Sequence, residues 1–251
     1  MNDITAAIAN NHRIARDTYR MRLVLPGEVP VSPGQFINIK LSGFYLRRPI
    51  SLCDCNGCEL DIIYKTVGRG TRAMSELSEG DTLDILIPLG NGFPLPDGPV
   101  EDDLFSRPLL VGGGAGVPPM FLLARKLRSF GSDPLMVMGF NTADEVFLTE
   151  EFNKAGIETI LTTADGSAGV KGFVTDVMAD LDRTSFFACG PEAMLRAVDA
   201  VLAGDMPGWF SFEERMGCGF GACMGCSCKT KYGSKRICKD GPILERSEVI
   251  W

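Results

Sequence analysis

Four cysteines near the C-terminal end of the chain, Cys218, Cys223, Cys226 and Cys238, are spaced C-x4-C-x2-C-x11-C, the first three inside the run of small residues from Met216 to Cys226. With this spacing a thiolate-lined loop wraps the two irons of a [2Fe-2S] cluster closely, and glycines let backbone N–H groups face the sulfurs. The chemistry would be electron transfer, one electron at a time. Two alternatives stand beside it. Structural zinc takes four thiolates but draws them from two short knuckles, whereas here three crowd one loop; unligated thiols are the other. Cys228 competes for the fourth position, since two residues past Cys226 an extended chain points both side chains to one face. Cys238 is preferred because a ligand from a later segment closes the loop over the cluster.

Four further motifs suit nucleotides. In Arg48-Pro49-Ile50-Ser51 a guanidinium can neutralise a phosphate while a hydroxyl donates further along the strand. Tyr64-Lys65 leads through Gly68 to Gly70-Thr71 and a helix expected at Arg72 to Leu77, a start whose amides favour an anion. Either alone reads equally as a surface turn or a cap. Gly112-Gly113-Gly114-Ala115-Gly116-Val117-Pro118-Pro119 lets a pyrophosphate approach the backbone, with proline in the first helical turn. Ala188-Cys189-Gly190-Pro191 repeats the strand, glycine, proline, helix arrangement later in the chain. A tight turn without a ligand remains the plain alternative.

The elements around these motifs divide the chain in three. Segments Ile4 to Ile8, Thr18 to Leu25, Phe36 to Leu41, Ile50 to Cys55, Glu59 to Lys65 and Thr82 to Ile87 read as strands of an antiparallel barrel. Asn56-Gly57 signals a hairpin, flanked by Cys55 and Cys58. Alternation predicts that Cys53 and Cys55 share a face, as structural thiols. Phe93 to Asp103 reads as a linker. Then strands Leu109 to Val111, Leu135 to Phe140, Glu158 to Thr163 and Ser185 to Ala188 alternate with helices Pro118 to Ser129, Thr149 to Ala155, Gly172 to Leu181 and Pro191 to Leu202. This alternation predicts an α/β parallel sheet covered on both faces. The expected domains are a β-barrel over 1–103, an α/β nucleotide-binding domain over 104–207 and a small cluster domain over 208–251.

Composition bounds the function. The 251 residues, 45% hydrophobic and 23% charged, suffice for a large core. A net charge of -7 without a basic block argues against nucleic acid. No apolar run is long enough for a membrane span, and Met1-Asn2-Asp3 does not open a signal peptide, so a soluble, cytoplasmic protein is expected. Nine cysteines in that setting point to metal or redox use. With His12 the one histidine, a cofactor rather than imidazole must carry the chemistry.

A barrel with R-P-x-S and a glycine-rich turn, followed by G-G-G-x-G-x-P-P and C-G-P-x-x-M, resembles the ferredoxin-NADP reductase superfamily over nearly all of the first 207 residues. The ending is more specific. Phe212 to Met216, M-x-C-G-x-G-x-C-x-G-C and the tail from Cys238-Lys239-Asp240-Gly241-Pro242-Ile243 to Trp251 look like the electron-transfer subunits of class 1B dihydroorotate dehydrogenases. The resemblance implies FAD on the barrel, contacted by Arg48, Pro49, Ile50, Ser51, Ile63, Tyr64, Lys65, Gly70 and Thr71, with Ser51 near flavin N5 and no side-chain acid or base. It implies NAD(H) on the second domain at Gly112, Gly113, Gly114, Gly116, Cys189, Gly190 and Pro191, and the cluster on Cys218, Cys223, Cys226 and Cys238. A catalytic partner chain carrying FMN and the pyrimidine site follows, in a heterotetramer of two chains of each kind. In the wider superfamily an aromatic residue usually stands where Ile50 does, so flavin stacking must differ. Glu213 and Glu214 are candidates for contact with nicotinamide or flavin, or else a solvated acidic pair. Asp165 would favour NAD over NADP by facing a ribose hydroxyl. Reductase subunits of ferredoxin, sulfide or sulfite systems share this layout, and a flavin-free zinc scaffold is the non-enzymatic alternative.

Overall fold

The computed structural model describes residues 1–251 except Asp102 and Ala203; Asp102 belongs to the expected linker and lies outside the described residues. Strands β1 (Asn2–Ala15), β2 (Thr18–Val24), β3 (Phe36–Ile39), β4 (Arg48–Asn56) and β5 (Glu59–Lys65), helix α1 (Arg69–Ser75) and strand β6 (Thr82–Leu89) come first. The six strands close a barrel in the order β1-β2-β5-β4-β3-β6, each pair antiparallel. Period-2 alternation sends Ile37, Ile39, Leu52, Ile62 and Tyr64 inward.

After Arg107 the chain alternates β7 (Pro108–Gly113), α2 (Val117–Ser129), β8 (Leu135–Phe140), α3 (Thr149–Lys154), β9 (Glu158–Thr163), β10 (Val170–Lys171), β11 (Ser185–Cys189) and α4 (Glu192–Val201). The cysteine segment adds β12 (Gly208–Ser211), β13 (Ser227–Thr230), β14 (Gly233–Arg236) and β15 (Ile243–Glu245). The large sheet runs β10-β9-β8-β7-β11-β12-β15, parallel except for β15. Thus two strands from 208–251 complete the large sheet, while β13 and β14 form a separate hairpin.

Two local expectations fail. The helix expected at Gly172 to Leu181 is a single 3-10 turn, Val174–Val177. Gly172 takes φ +127°, the Phe173 N–H donates to the Asp176 carboxylate at 2.8 Å, and Val174, Thr175 and Val177 are β-branched, so a capped turn replaces a helix. Nor do Cys53 and Cys55 share a face. A bulge between Leu52 and Asp54 turns Cys53 toward the core shared with the α/β domain, whereas Cys55 packs against the barrel core. The helix expected at Arg72 to Leu77 begins and ends earlier, at Arg69–Ser75.

Cys53 and Ile63 of the barrel pack with Phe121 and Ala124 of α2 in that shared core. Ion pairs Arg20–Glu151, at 3.1 Å, and Arg125–Asp54 flank it. Asp61 on β5 is buried and accepts from Arg20 and Arg22, Nε of the latter at 2.7 Å. Burial opposes its charge, but the two guanidiniums outweigh it and lower its pKa. A carboxylate with a lowered folded pKa contributes stability above its unfolded value and loses it as pH falls through the folded one. Asp61→Asn should therefore cost roughly 3 kcal/mol at neutral pH, the low end for a buried pair since Arg22 keeps solvent contact. Denaturant melts across pH check this: the difference from wild type should begin to shrink as pH falls past the unfolded-state carboxyl value of about 4 and go on shrinking toward the lower folded value.

Candidate functional site

In the cysteine loop backbone N–H groups converge on sulfur. Ala222 and Cys223 N–H donate to Cys218 Sγ at 3.2 and 3.4 Å, and Cys218 and Gly225 N–H donate to Cys223 Sγ at 3.4 Å. Burial works against ionisation of Cys218, yet donors from Phe220, Cys223 and Ala222 prevail and bring its thiol down to about 6. Cys238 N–H donates to Cys226 Sγ at 3.4 Å, with both residues buried. Burial and the adjacent Cys226 push the Cys238 thiol up to about 12. The sulfurs thus form two pairs, Cys218 with Cys223 and Cys226 with Cys238. Among the described residues no three cysteine, histidine or acidic side chains gather around a single point. Two pairs suit two irons with two thiolates each better than one tetrahedral ion. Cys228 belongs to neither pair. It lies on β13 opposite Lys235, its pKa raised by burial and by the carboxylates of Glu214 and Glu248.

The barrel presents a row of outward side chains beside this loop. Register pairs Phe36 with Ser51 and Asn38 with Pro49, and alternation along β5 adds Ile63 and Lys65. Tyr64 points inward, its hydroxyl donating to Asn11 at 2.9 Å, so a ligand on the outer face meets only its backbone. Ile50 also packs against the barrel core. Arg48 lies over Gly70 so closely that a Cβ there would come within 2.1 Å of the guanidinium Nε, and it stacks on Phe44 at 5.0 Å. The Thr71 hydroxyl exchanges hydrogen bonds with Gly68 at 3.2 Å. The two barrel motifs therefore meet in space. Their shared edge, a guanidinium over side-chain-free backbone, has the chemistry of a pyrophosphate cradle.

At the carboxyl edge of the parallel sheet lies a cleft of about 610 Å³, within the range of small-ligand sites. Gly113, Gly114, Gly116, Gly190 and Pro191 line it, with Lys65 reaching in from the barrel. A Cβ on Gly116 would come within 2.1 Å of the Cys189 carbonyl oxygen, so the two glycine loops touch through their backbones. The Cys189 thiol is raised to about 12 by burial and by Glu213. Glu213 separates this cleft from a second of about 460 Å³ that Cys228 lines. Its side chain is exposed, yet the protein around the carboxyl desolvates it enough to raise its pKa. Glu214 lines only the second cleft. Asp165 is engaged by the Ser167 N–H at 2.9 Å and hydroxyl at 2.6 Å and is not among the residues lining the first cleft.

Comparison with known proteins names the family. A profile described as the iron-sulfur cluster binding domain of dihydroorotate dehydrogenase B matches residues 213–250. The electron transfer subunit of dihydroorotate dehydrogenase B (NAD(+)) of Geobacillus kaustophilus is 43% identical across 97% of this chain and 96% of its own length. The chain belongs to this family of dihydroorotate dehydrogenase B electron-transfer subunits. Another member, from Fusobacterium nucleatum, is 40% identical, covering 96% of each chain. Among solved structures, that of an NADH-dependent reduced ferredoxin-NADP oxidoreductase superposes with a TM-score of 0.87 at 31% identity, covering 98% of this chain and 90% of the other. Phthalate dioxygenase reductase shares the fold at a TM-score of 0.70 and 19% identity, covering 92% of this chain and 87% of its own.

Two further residues of this family member's cleft, Glu145 and Phe173, belong to none of the sequence motifs. Glu145 accepts from Arg16 at 2.6 Å and from the Asn141 side chain at 3.1 Å, and lies 3.5 Å from Lys65 Nζ. After desolvation, which opposes it, these partners lower its pKa. Phe173, 66% exposed, stands at the cleft lip on the 3-10 turn. An acidic pair following a strand, Asp144-Glu145, is the one hint the sequence offers; for Phe173 it offers none.

Proposed function

We infer that this chain is the electron-transfer subunit of an NAD-dependent dihydroorotate dehydrogenase, passing electrons between NAD(H) and an FMN-bearing catalytic partner through FAD and a [2Fe-2S] cluster in pyrimidine biosynthesis. One observation carries the reading: the outward row of β3 to β5 adjoins the nucleotide cleft at Lys65 and the cysteine loop at Asn38. A flavin on that row supplies the conversion between a hydride and single electrons. Arg48 and the Gly70-Thr71 turn would hold its pyrophosphate, while Pro49, Ser51 and Ile63 would bound its ring and Ser51 would orient the reacting edge. The Gly112 to Gly116 loop and Cys189-Gly190-Pro191 would fix the nicotinamide nucleotide, with Glu213 beside it and Phe173 at the outer end. Cys218 and Cys223 would hold one iron and Cys226 and Cys238 the other.

The division into 1–103, 104–207 and 208–251 follows the cofactors, although β12 and β15 belong to the middle sheet. Phe220, 43% exposed, and Met224, 54% exposed, flank the cysteines, an apolar rim suited to burial against the catalytic chain. A heterotetramer with two chains of each kind, in the cytoplasm, completes the reading; no helix among the described residues is long and apolar enough to cross a membrane. The similarity to the NADH-dependent ferredoxin-NADP oxidoreductase favours one second reading, a ferredoxin-linked subunit. One experiment separates them. The chain, reconstituted with FAD and cluster, is mixed with a dihydroorotate-oxidising FMN protein and assayed for orotate-dependent NADH oxidation, which should require both chains. NADH oxidation with ferredoxin and none with orotate would overturn the proposal.

A further inference from the structure

Asn38 belongs to none of the motifs, yet it joins two of them. It stands on the outward face of β3 opposite Pro49 and is 1% exposed. Its Nδ2 donates to the Cys218 backbone carbonyl at 3.1 Å. The next residue, Gly219, takes φ +80°, and a Cβ on it would come within 2.2 Å of that same nitrogen. Asparagine and glycine therefore interlock. At the other end of the amide, Oδ1 is buried without a hydrogen-bond partner among the described residues. An unpaired buried carbonyl is costly, and an apolar side chain of the same branching would avoid that cost. Packing alone does not account for an amide here; its donor does.

The geometry points to Asn38 as the positioning residue that sets how readily the cluster accepts an electron from the flavin side. The inference rests on the cofactors proposed above. The positive end of the Asn38 amide faces the Cys218 peptide, while the uncompensated oxygen is held at the far end. By anchoring that carbonyl, Asn38 orients the turn whose Ala222 and Cys223 N–H groups donate to Cys218 Sγ. Hydrogen bonds to cluster sulfurs, and nearby positive dipole ends, favour the reduced cluster. Its strand is also the flavin-face strand, so one side chain fixes both the spacing and the electrostatics of this step.

The test uses the assembled complex with FAD and cluster, in wild-type form and as Asn38→Leu and Asn38→Asp. Iron and flavin content are measured, and cluster reduction is followed by electron paramagnetic resonance during a redox titration. Asn38→Leu should lower the ratio of reduced to oxidised cluster at fixed poise by about fivefold, the scale of one net hydrogen bond. Asn38→Asp, similar in shape, should behave nearly as wild type at pH low enough to keep its buried carboxyl protonated and able to donate, and should lower the ratio beyond Asn38→Leu once alkaline pH ionises it; the flavin midpoint should not move. Fully loaded variants that titrate like wild type would overturn the inference. So would loss of the cluster in both, which would make Asn38 a folding residue only. A wild-type chain with flavin but no cluster signal overturns the cofactor reading itself, and this inference with it.

Discussion

Cys238→Ser should yield a protein that keeps its flavin and its NADH-driven reduction of artificial two-electron acceptors but loses the cluster absorbance and orotate-dependent turnover. Cys226 and Cys238 form the buried sulfur pair, joined by the Cys238 N–H donor, and a serine hydroxyl is a poor substitute for a thiolate in a soft-ligand site. Changes to outer partners of a metal site already cost about 10- to 100-fold, and loss of a ligand costs more, so turnover with orotate should fall at least ~100-fold. Cys228→Ser is the matched control. Its position on β13 opposite Lys235, outside both pairs, predicts normal iron content and turnover. Iron analysis, the visible spectrum and the two assays distinguish the outcomes; a loaded, active Cys238→Ser together with an iron-free Cys228→Ser would reverse the ligand assignment.

Gly116→Val should remove nucleotide use while sparing the flavin. The Cβ would have to occupy space 2.1 Å from the Cys189 carbonyl oxygen and 2.7 Å from the Gly190 nitrogen. Both are backbone atoms, at and just past the end of β11, so no side-chain rotation relieves the clash. The loops must separate, and the cleft they line must change shape. Overpacking of this kind costs about 1–3 kcal/mol in stability, and misplacing a bound reactant by about 1 Å can cost a hundredfold in rate. Anaerobic mixing with NADH should show flavin reduction slowed ~100-fold or more, with flavin content near that of wild type. Reduction at the wild-type rate would show that the two loops do not jointly grip the nucleotide.

Both predictions begin from features legible in the amino-acid sequence, because each is local. A C-x4-C-x2-C loop or a strand ending in glycines before a proline carries its chemistry within a dozen residues. Alternation along β5 likewise separates Tyr64 from Ile63 and Lys65. Residues that the sequence leaves silent depend on distant chain. Glu145 is explained by Arg16, 129 positions away, and Asn38 by the Cys218 carbonyl, 180 positions away. The helix expected after Gly172 fails for a different reason: helical periodicity in a short stretch gives way to one carboxylate that caps the backbone at Phe173. Cys53 and Cys55 take opposite faces, not the shared one that alternation predicts, because a single inserted residue at the bulge shifts the side chains after it.

The cysteine segment is stitched to its neighbour at both ends. β12 enters the parallel sheet beside β11, β15 returns antiparallel to β12, and Trp251 closes against Phe210 while its indole N–H donates to Asp199 at 2.6 Å. A free-standing ferredoxin collects an electron, diffuses and delivers it elsewhere. This segment is a bracket rather than a courier: its sulfurs cannot swing between donor and acceptor without unzipping strands. The cysteine loop therefore keeps one position relative to the large sheet, and a partner must dock against it where it stands.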